Sequence, residues 1–339
     1  MRTVTDTAPP LPQRIEVLGE RLGALRGALG GVVFGQEQAI DLALTAILAG
    51  GHALLIGVPG LAKTLLVESL ARALSLSHKR IQFTPDLMPS DIIGAEVLEE
   101  DEDGRRRFRF IRGPVFCQLL MADEINRASP RTQSALLQAM QEHEITVAGQ
   151  PHPLPHPFHV LATQNPLEQE GTYPLPEAQL DRFLLQIDVD YPGREAERRM
   201  LLATTGTEET TIGPMMNAAE LAEAQQIIRR MPVGNALLDA ILDLVRRARP
   251  GGEEAASLTC HIEWGPGPRA SQALALAVRC RALIQGRPAP DMSDLAALAA
   301  PVLRHRMALT YAARAEGITI DDIIARLLEP AGGDVRETG

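Results

Sequence analysis

The chain has 339 residues, a net charge of −10 and only 3% aromatic side chains. That length suits one large domain with a smaller one, while the negative charge and scarce aromatics argue against gripping a phosphate backbone or stacking nucleic-acid bases. Cys117, Cys260 and Cys280 are scattered without a CxxC pair, which indicates neither a disulfide framework nor a zinc site and suits a reducing cytoplasm.

The opening MRTVTDTAPPLPQR has no apolar stretch behind its first arginine, which argues against a secretory signal. Ile15, Leu18, Leu22, Leu25 and Leu29 recur at helical spacing over residues 15–29, and a second helical pattern covers 37–48. Residues 42–62 are apolar enough to suggest a membrane span, but Gly50, Gly51, His52, Gly57, Pro59 and Gly60 break them into a helix, a turn, a short strand and a loop. The strand is HALLIG (52–57) and the loop opens a helix over 64–74. A short strand at 80–83, strand QLLMAD (118–123), a helix over 130–142 and strands HVLATQ (159–164) and FLLQIDVD (183–190) follow. Strands alternating with helices predict an α/β layer with a largely parallel sheet.

Two stretches predict hairpins inserted into that layer. Residues 95–111 alternate around EEDEDGRRR, and residues 144–157 run through Ala148, Gly149 and several prolines. Past Tyr191 and Gly193 the chain turns Ala-, Leu- and Arg-rich, with a helical pattern and no convincing strand up to Leu328. The expected division is an N-terminal helical segment at 1–30, an α/β domain at 31–192, a smaller all-α domain at 193–330 and a disordered tail at 331–339.

GVPGLAKT stands between a strand and a helix, the setting of a phosphate-binding loop built by Gly57, Val58, Pro59, Gly60, Leu61, Ala62, Lys63 and Thr64. Gly57 and Gly60 let backbone N–H groups turn toward phosphate oxygens, Lys63 reaches the outer phosphates, and Thr64 supplies a hydroxyl for magnesium. The chain has two lysines, Lys63 and Lys79. A compact ammonium in the tight loop cannot be replaced by arginine's broad fork. The glycine usual before the lysine is Ala62, expected here in a right-handed conformation at the helix entry.

QLLMADE places Asp123 beside the loop's metal, held through water, and Glu124 as general base for the attacking water. Asn165 in ATQNP is a candidate to orient that water, although a turn asparagine before Pro166 has the same pattern. On spacing alone, Arg182 in LPEAQLDRF is either a cation reaching a neighbouring subunit's nucleotide or one half of a capping or surface ion pair. His152, His156 and His159 lie close together among prolines without an acid in register, the pattern of a solvated hairpin rather than a metal site.

In order across residues 31–271, GVPGLAKT, MADEINRA, ATQNP, YPLPEAQLDRF and GPGPRAS resemble the AAA+ ATPases, specifically the MoxR branch. The resemblance implies an α/β nucleotide-binding domain with a helical lid, assembled as a homo-oligomeric ring, commonly a hexamer, with ATP and Mg2+ between subunits. It assigns Lys63 and Thr64 to Walker A, Asp123 and Glu124 to Walker B, Asn165 to sensor 1 and Arg182 to a trans-acting arginine finger. Arg269 matches the sensor 2 arginine that couples the lid to the γ-phosphate, with Pro266 and Gly267 where many relatives carry a small residue and serine. Val33, Phe34, Gly35 and Gln36 resemble the segment lining the adenine, and the two hairpins resemble insertions of this branch. Arg127 is a second candidate for the trans-acting cation.

The function so implied is ATP hydrolysis that remodels, activates or matures protein clients in the cytoplasm, often with a von Willebrand factor A-domain partner. The motor of a metal-chelatase-like complex is the alternative enzyme. A nucleotide-gated scaffold with little turnover is the other, although a pure binder has no use for a base at Glu124.

Overall fold

The computed structural model describes residues 9–100, 106–168, 171–205, 211–251 and 260–329. The expected tail at 331–339, and residues 101–105 within the stretch expected to form the first hairpin, lie outside them.

In chain order the first part contains α1 (Leu11–Gly30), α2 (Glu37–Leu48), β1 (Ala53–Ile56), α3 (Lys63–Ala73), β2 (His78–Gln82), α4 (Pro89–Ile93), β3 (Gly94–Glu100), β4 (Arg106–Arg112) and β5 (Leu119–Asp123). It continues with a 3₁₀ turn Ile125–Arg127, α5 (Pro130–Glu142), β6 (Glu144–Val147), β7 (Gln150–Pro153), β8 (His159–Gln164), α6 (Glu177–Leu180) and β9 (Leu185–Asp188). The second part has α7 (Arg194–Thr204), α8 (Ala218–Arg230), α9 (Asn235–Arg247), β10 (Ile262–Trp264), α10 (Pro268–Ile284) and α11 (Met292–Leu303). A 3₁₀ turn Arg304–Arg306, β11 (Ala308–Leu309), α12 (Tyr311–Ala315) and α13 (Ile320–Leu328) complete it.

The apolar runs become a parallel five-stranded sheet in the order β2-β5-β8-β1-β9. Parallel strands need crossovers, and the intervening helices cover both faces, so β5 is buried along its whole length. Alternation divides the side chains: Leu54, Leu120, Ala122, Val160 and Ala162 pack with Phe83, Leu136 and Phe183 on one face. Leu55, Met121, Leu161, Leu185 and Ile187 point to the other, into a core continuous with α1, α2, α3 and the helices beyond residue 217.

Helix α1 presents Ile15, Leu18, Leu22, Leu25 and Leu29 to that core. A Cβ on Gly19 would meet Gly286 Cα and Leu283 O at 3.5 Å, which records how closely α1 lies on α10. Arg14 and Arg21 pair with Glu223 and Glu220 of α8, and Arg26 with Asp41 of α2. These exposed pairs are each worth roughly 0–1 kcal/mol, so burial of the leucine stripe holds the helix.

Both hairpins form, β3 with β4 and β6 with β7, and they touch where Phe110 stacks on His152 with ring centres 4.2 Å apart. One expectation fails in the second part: β10 and β11 form a small antiparallel pair. Two- and three-residue strands carry too little periodicity to be seen in a helical background.

Candidate active site

Because the strands are parallel, the loops that follow β1, β5 and β8 gather on one edge of the sheet. They enclose a cleft of about 450 Å³ lined by Lys63, Thr64, Asp123, Glu124, Asn165, Arg80 and Gln82 among others. Residues about 40 to 100 positions apart in sequence meet because they lie at the ends of neighbouring strands.

The loop after β1 has little freedom at its first glycine. A Cβ on Gly57 would lie 2.6 Å from Val189 O, so any larger residue would push the loop off β9. Lys63 Nζ donates to Gly57 O at 2.6 Å and Val58 O at 2.7 Å, which holds the ammonium over the loop. Burial lowers the Lys63 pKa, opposed by the charges of Asp123 and Glu124. Gly60 takes φ 86°, and so, unexpectedly, does Ala62 adopt the left-handed region at φ 57°, ψ 21°. The right-handed entry expected for Ala62 is therefore wrong: the chain must reverse at this residue to start α3, a turn that glycine makes freely and alanine at a cost of about 1–2 kcal/mol.

Strand register builds the acidic side. Gln82 pairs with Asp123 across β2 and β5, and Ala122 pairs with Ala162 across β5 and β8, which puts Thr163 beside Asp123. Thr163 Oγ1 donates to Asp123 Oδ1 at 2.5 Å and accepts from the Glu124 N–H at 2.9 Å. Arg80 donates to Asp123 Oδ2 at 2.5 and 3.2 Å, and Gln82 Nε2 to Glu124 Oε2 at 2.6 Å. Glu124 is itself left-handed, φ 55° and ψ 50°, so its carboxylate leaves the strand axis and turns into the cleft. Asn165 is buried and its Oδ1 accepts from Leu167 N at 3.1 Å, the bond of a turn asparagine; its amide nitrogen remains available to the cleft it lines. Arg80, Gln82 and Thr163 were not singled out in the sequence because their roles depend on inter-strand register.

The segment at Val33, Phe34, Gly35 and Gln36 lies against the chain leaving β9. Gln36 Nε2 donates to Asp190 O at 2.8 Å, and Arg199 lies 5.8 Å from the centre of the Phe34 ring. Val189 abuts Gly57 and its neighbour Asp190 holds Gln36, so this segment is joined to the phosphate loop through β9. Arg127 faces its own chain's site, with Nη1 3.2 Å from Glu124 Oε2 and 3.9 Å from Glu168.

Arg182 and Arg269 are elsewhere. Arg182 precedes β9 and Gly51 precedes β1, so both stand at the opposite edge of the sheet from the loop at 57–64. With Asp181, Arg269, Arg306 and Gly51, Arg182 lines a second cleft of about 240 Å³; neither arginine lines the cleft of Lys63. Arg182 Nη1 donates to Leu137 O at 2.5 Å, and Arg269 Nη1 lies 3.8 Å from Asp181 Oδ2. Beneath this cleft His159 is buried rather than in the solvated hairpin expected of it, with Nδ1 donating to Gly51 O at 2.9 Å. It opens β8, where the apolar run drew it inside.

Comparison with known proteins agrees with this geometry. The model of the ATPase family associated with various cellular activities (AAA) matches residues 52–185, and that of the AAA lid domain matches residues 255–327. Chaperone MoxR1 of Mycobacterium tuberculosis is 42% identical over 88% of this chain and 78% of its own length. Protein MoxR of Paracoccus denitrificans is 34% identical over 90% and 95% respectively. A crystal structure of a protein assigned as an ATPase from Cytophaga hutchinsonii superposes with a TM-score of 0.85 at 37% identity, covering 93% of this chain and 96% of that one. With a parallel-sheet AAA+ domain, a helical lid and MoxR relatives matched over most of their length, the chain belongs to the MoxR family of AAA+ ATPases.

Proposed function

We propose that the protein hydrolyses ATP in a ring of identical subunits, each supplying one half of the site to its own nucleotide and the other half to its neighbour's. The observation that carries this reading is the placement of Lys63 and Arg182 at opposite edges of one sheet. Strands of four to six residues make that sheet about 13–20 Å deep, beyond the reach of a side chain. Arg182 and Arg269, sharing one cleft, therefore both serve a neighbouring subunit. Arg127, paired with its own chain's Glu124, serves in cis.

Within one subunit, Lys63 offsets the charge of the outer phosphates, Glu124 accepts the proton of the attacking water, and Asn165 orients that water. Thr64 and Asp123 line the same cleft and present hard oxygen donors, a set that fits Mg2+. When bound, that ion stabilises negative charge building on the phosphate oxygens. Arg182 and Arg269 add positive charge from outside, so hydrolysis waits on assembly. A hexamer is the ring we infer, and the chaperone name of MoxR1 supports protein clients for it. The von Willebrand factor A-domain partner rests on the family resemblance alone, and the cytoplasmic location on the scattered cysteines without a CxxC pair.

Steady-state phosphate release across a dilution series tests the shared site, with specific activity expected to rise with subunit concentration. Constant specific activity down to concentrations at which sedimentation shows only monomers would rule it out.

A further inference from the structure

Arg306, which lines the second cleft, is 2% exposed and the largest fully buried side chain in the described residues, and no role has yet been given to it. It comes from the 3₁₀ turn after α11, in the lid, yet most of its bonds cross to the chain around Arg182. Nε donates to Asp181 Oδ1 at 2.7 Å, Nη2 to Phe183 O at 2.6 Å and Asp181 O at 3.4 Å. Nη1 donates to Leu184 O at 3.0 Å and to Val302 O at 2.6 Å. Guanidinium has five N–H groups, and each has an acceptor here. The fork thus fixes the backbone at 181, 183 and 184, on both sides of Arg182.

Asp181 extends the arrangement. Its Oδ1 accepts from Arg306, while its Oδ2 faces Arg269 Nη1 at 3.8 Å. One carboxylate thereby links a buried lid arginine, the half-exposed Arg269 that opens α10, and the loop bearing Arg182. Nothing in the fold requires the acid to be shared in this way: a structural clamp on Arg306 alone would leave Oδ2 free to face solvent.

We propose that Arg306 and Asp181 are positioning residues that set the two trans-acting arginines as one unit, so that lid and finger approach a neighbour's nucleotide together. This rests on the shared-site reading above. A displacement of about 1 Å in such a group costs about 10²-fold in rate. Asp181→Asn keeps the hydrogen-bond acceptor for Arg306 but removes the charge that holds Arg269. It is expected to lower kcat about 10²-fold with the KM for ATP little changed, because the subunit's own binding residues are intact.

Mixing subunits separates positioning from mere stability. Asp181→Asn carries an intact Lys63–Glu124 half, and Glu124→Gln carries intact arginines. Random 1:1 rings pair the two good halves at about a quarter of head-to-tail interfaces. Recovery to about that fraction of unmutated activity is expected, and Arg182→Ala mixed with Glu124→Gln provides the reference. Recovery with Arg182→Ala but none with Asp181→Asn overturns the positioning role and leaves the shared site standing. No recovery with either overturns the shared site, and the positioning role falls with it. Should Asp181→Asn lose its native circular dichroism, Asp181→Glu replaces it: the charge is kept but one carboxylate can no longer serve both arginines, and the same mixing outcomes decide.

Discussion

The two edges of the central sheet are built in different ways. At the edge carrying Lys63, the functional groups end neighbouring strands and sit within short motifs, line an open cleft and are joined by one or two hydrogen bonds each. At the edge carrying Arg182, a buried guanidinium with every N–H engaged gathers residues from 181 to 306. The first edge can adjust when a nucleotide arrives. The second is preset, which fits the proposal that its arginines act on a molecule held by another subunit, without local feedback from binding it.

The contrast breaks most sharply if the arginine edge proves dispensable. Arg182→Ala is expected to lower turnover by about 10³–10⁵-fold, the range for trans-acting arginines, with nucleotide binding retained. Phosphate release together with equilibrium binding of a fluorescent nucleotide measures both. A loss of binding equal to the loss of turnover would move Arg182 into its own chain's cleft. Glu124→Gln removes the carboxylate proposed as general base and is expected to cost about 10²–10⁴-fold in turnover while leaving assembly intact. Turnover at the unmutated level would show that some other group accepts the proton.

The same contrast decides what could be read from sequence. Helices over 37–48 and 130–142, the positions of the main strands along the chain and the glycine-rich loop after β1 were legible because each rests on local period or on residues within a few positions of one another. The partners of the acids were not: Gln82, Arg80 and Thr163 reach Asp123 and Glu124 only through the β2-β5-β8 register, which no local pattern encodes. Arg182 was visible as a candidate and open as to role, while Arg306 gave no signal, since a buried arginine and a surface arginine look alike in a charged helical stretch. Ala62 and His159 were misplaced for a related reason. Backbone reversal at one comes from the turn that starts α3, and burial of the other from its place at the head of β8, where Gln225 of α8 lies 3.3 Å from its Nε2.

Acid should damage the arginine edge first. His52 Nδ1 accepts from Val160 N at 2.9 Å and its Nε2 faces Met140 O at 3.2 Å, so the ring must be neutral to satisfy both. Burial lowers its pKa to about 3, and burial likewise lowers that of His159 to about 4. Unfolded, both titrate near 6.5. Between these values the unfolded chain binds more protons, so the stabilisation is whole above pH 6.5 and is lost as pH falls toward 4 and then 3. The slope is about 1.4 kcal/mol per pH unit for each histidine. Hydrogen exchange at pH 5 is expected to loosen amides 159–160 and 183–185 ahead of those in α3. Loosening in the reverse order would mean that the buried histidines do not limit stability.

The smallest effect lies at the other edge, in the strain stored at Ala62. With φ at 57°, its Cβ crowds the following carbonyl at a cost of about 1–2 kcal/mol. Glycine removes that cost but adds freedom to the unfolded chain, which offsets about 0.4–1 kcal/mol. Ala62→Gly is therefore expected to stabilise the protein by roughly 0.5–1 kcal/mol, read as a higher urea midpoint at unchanged slope. A lower midpoint would mean that alanine sits comfortably there and that the loop enters α3 by a right-handed turn after all. If stability rises while ATP turnover stays the same, the strain is incidental to the loop. If turnover falls as stability rises, the strained residue holds the loop ready for phosphate, and the adjustable edge of the sheet is partly preset as well.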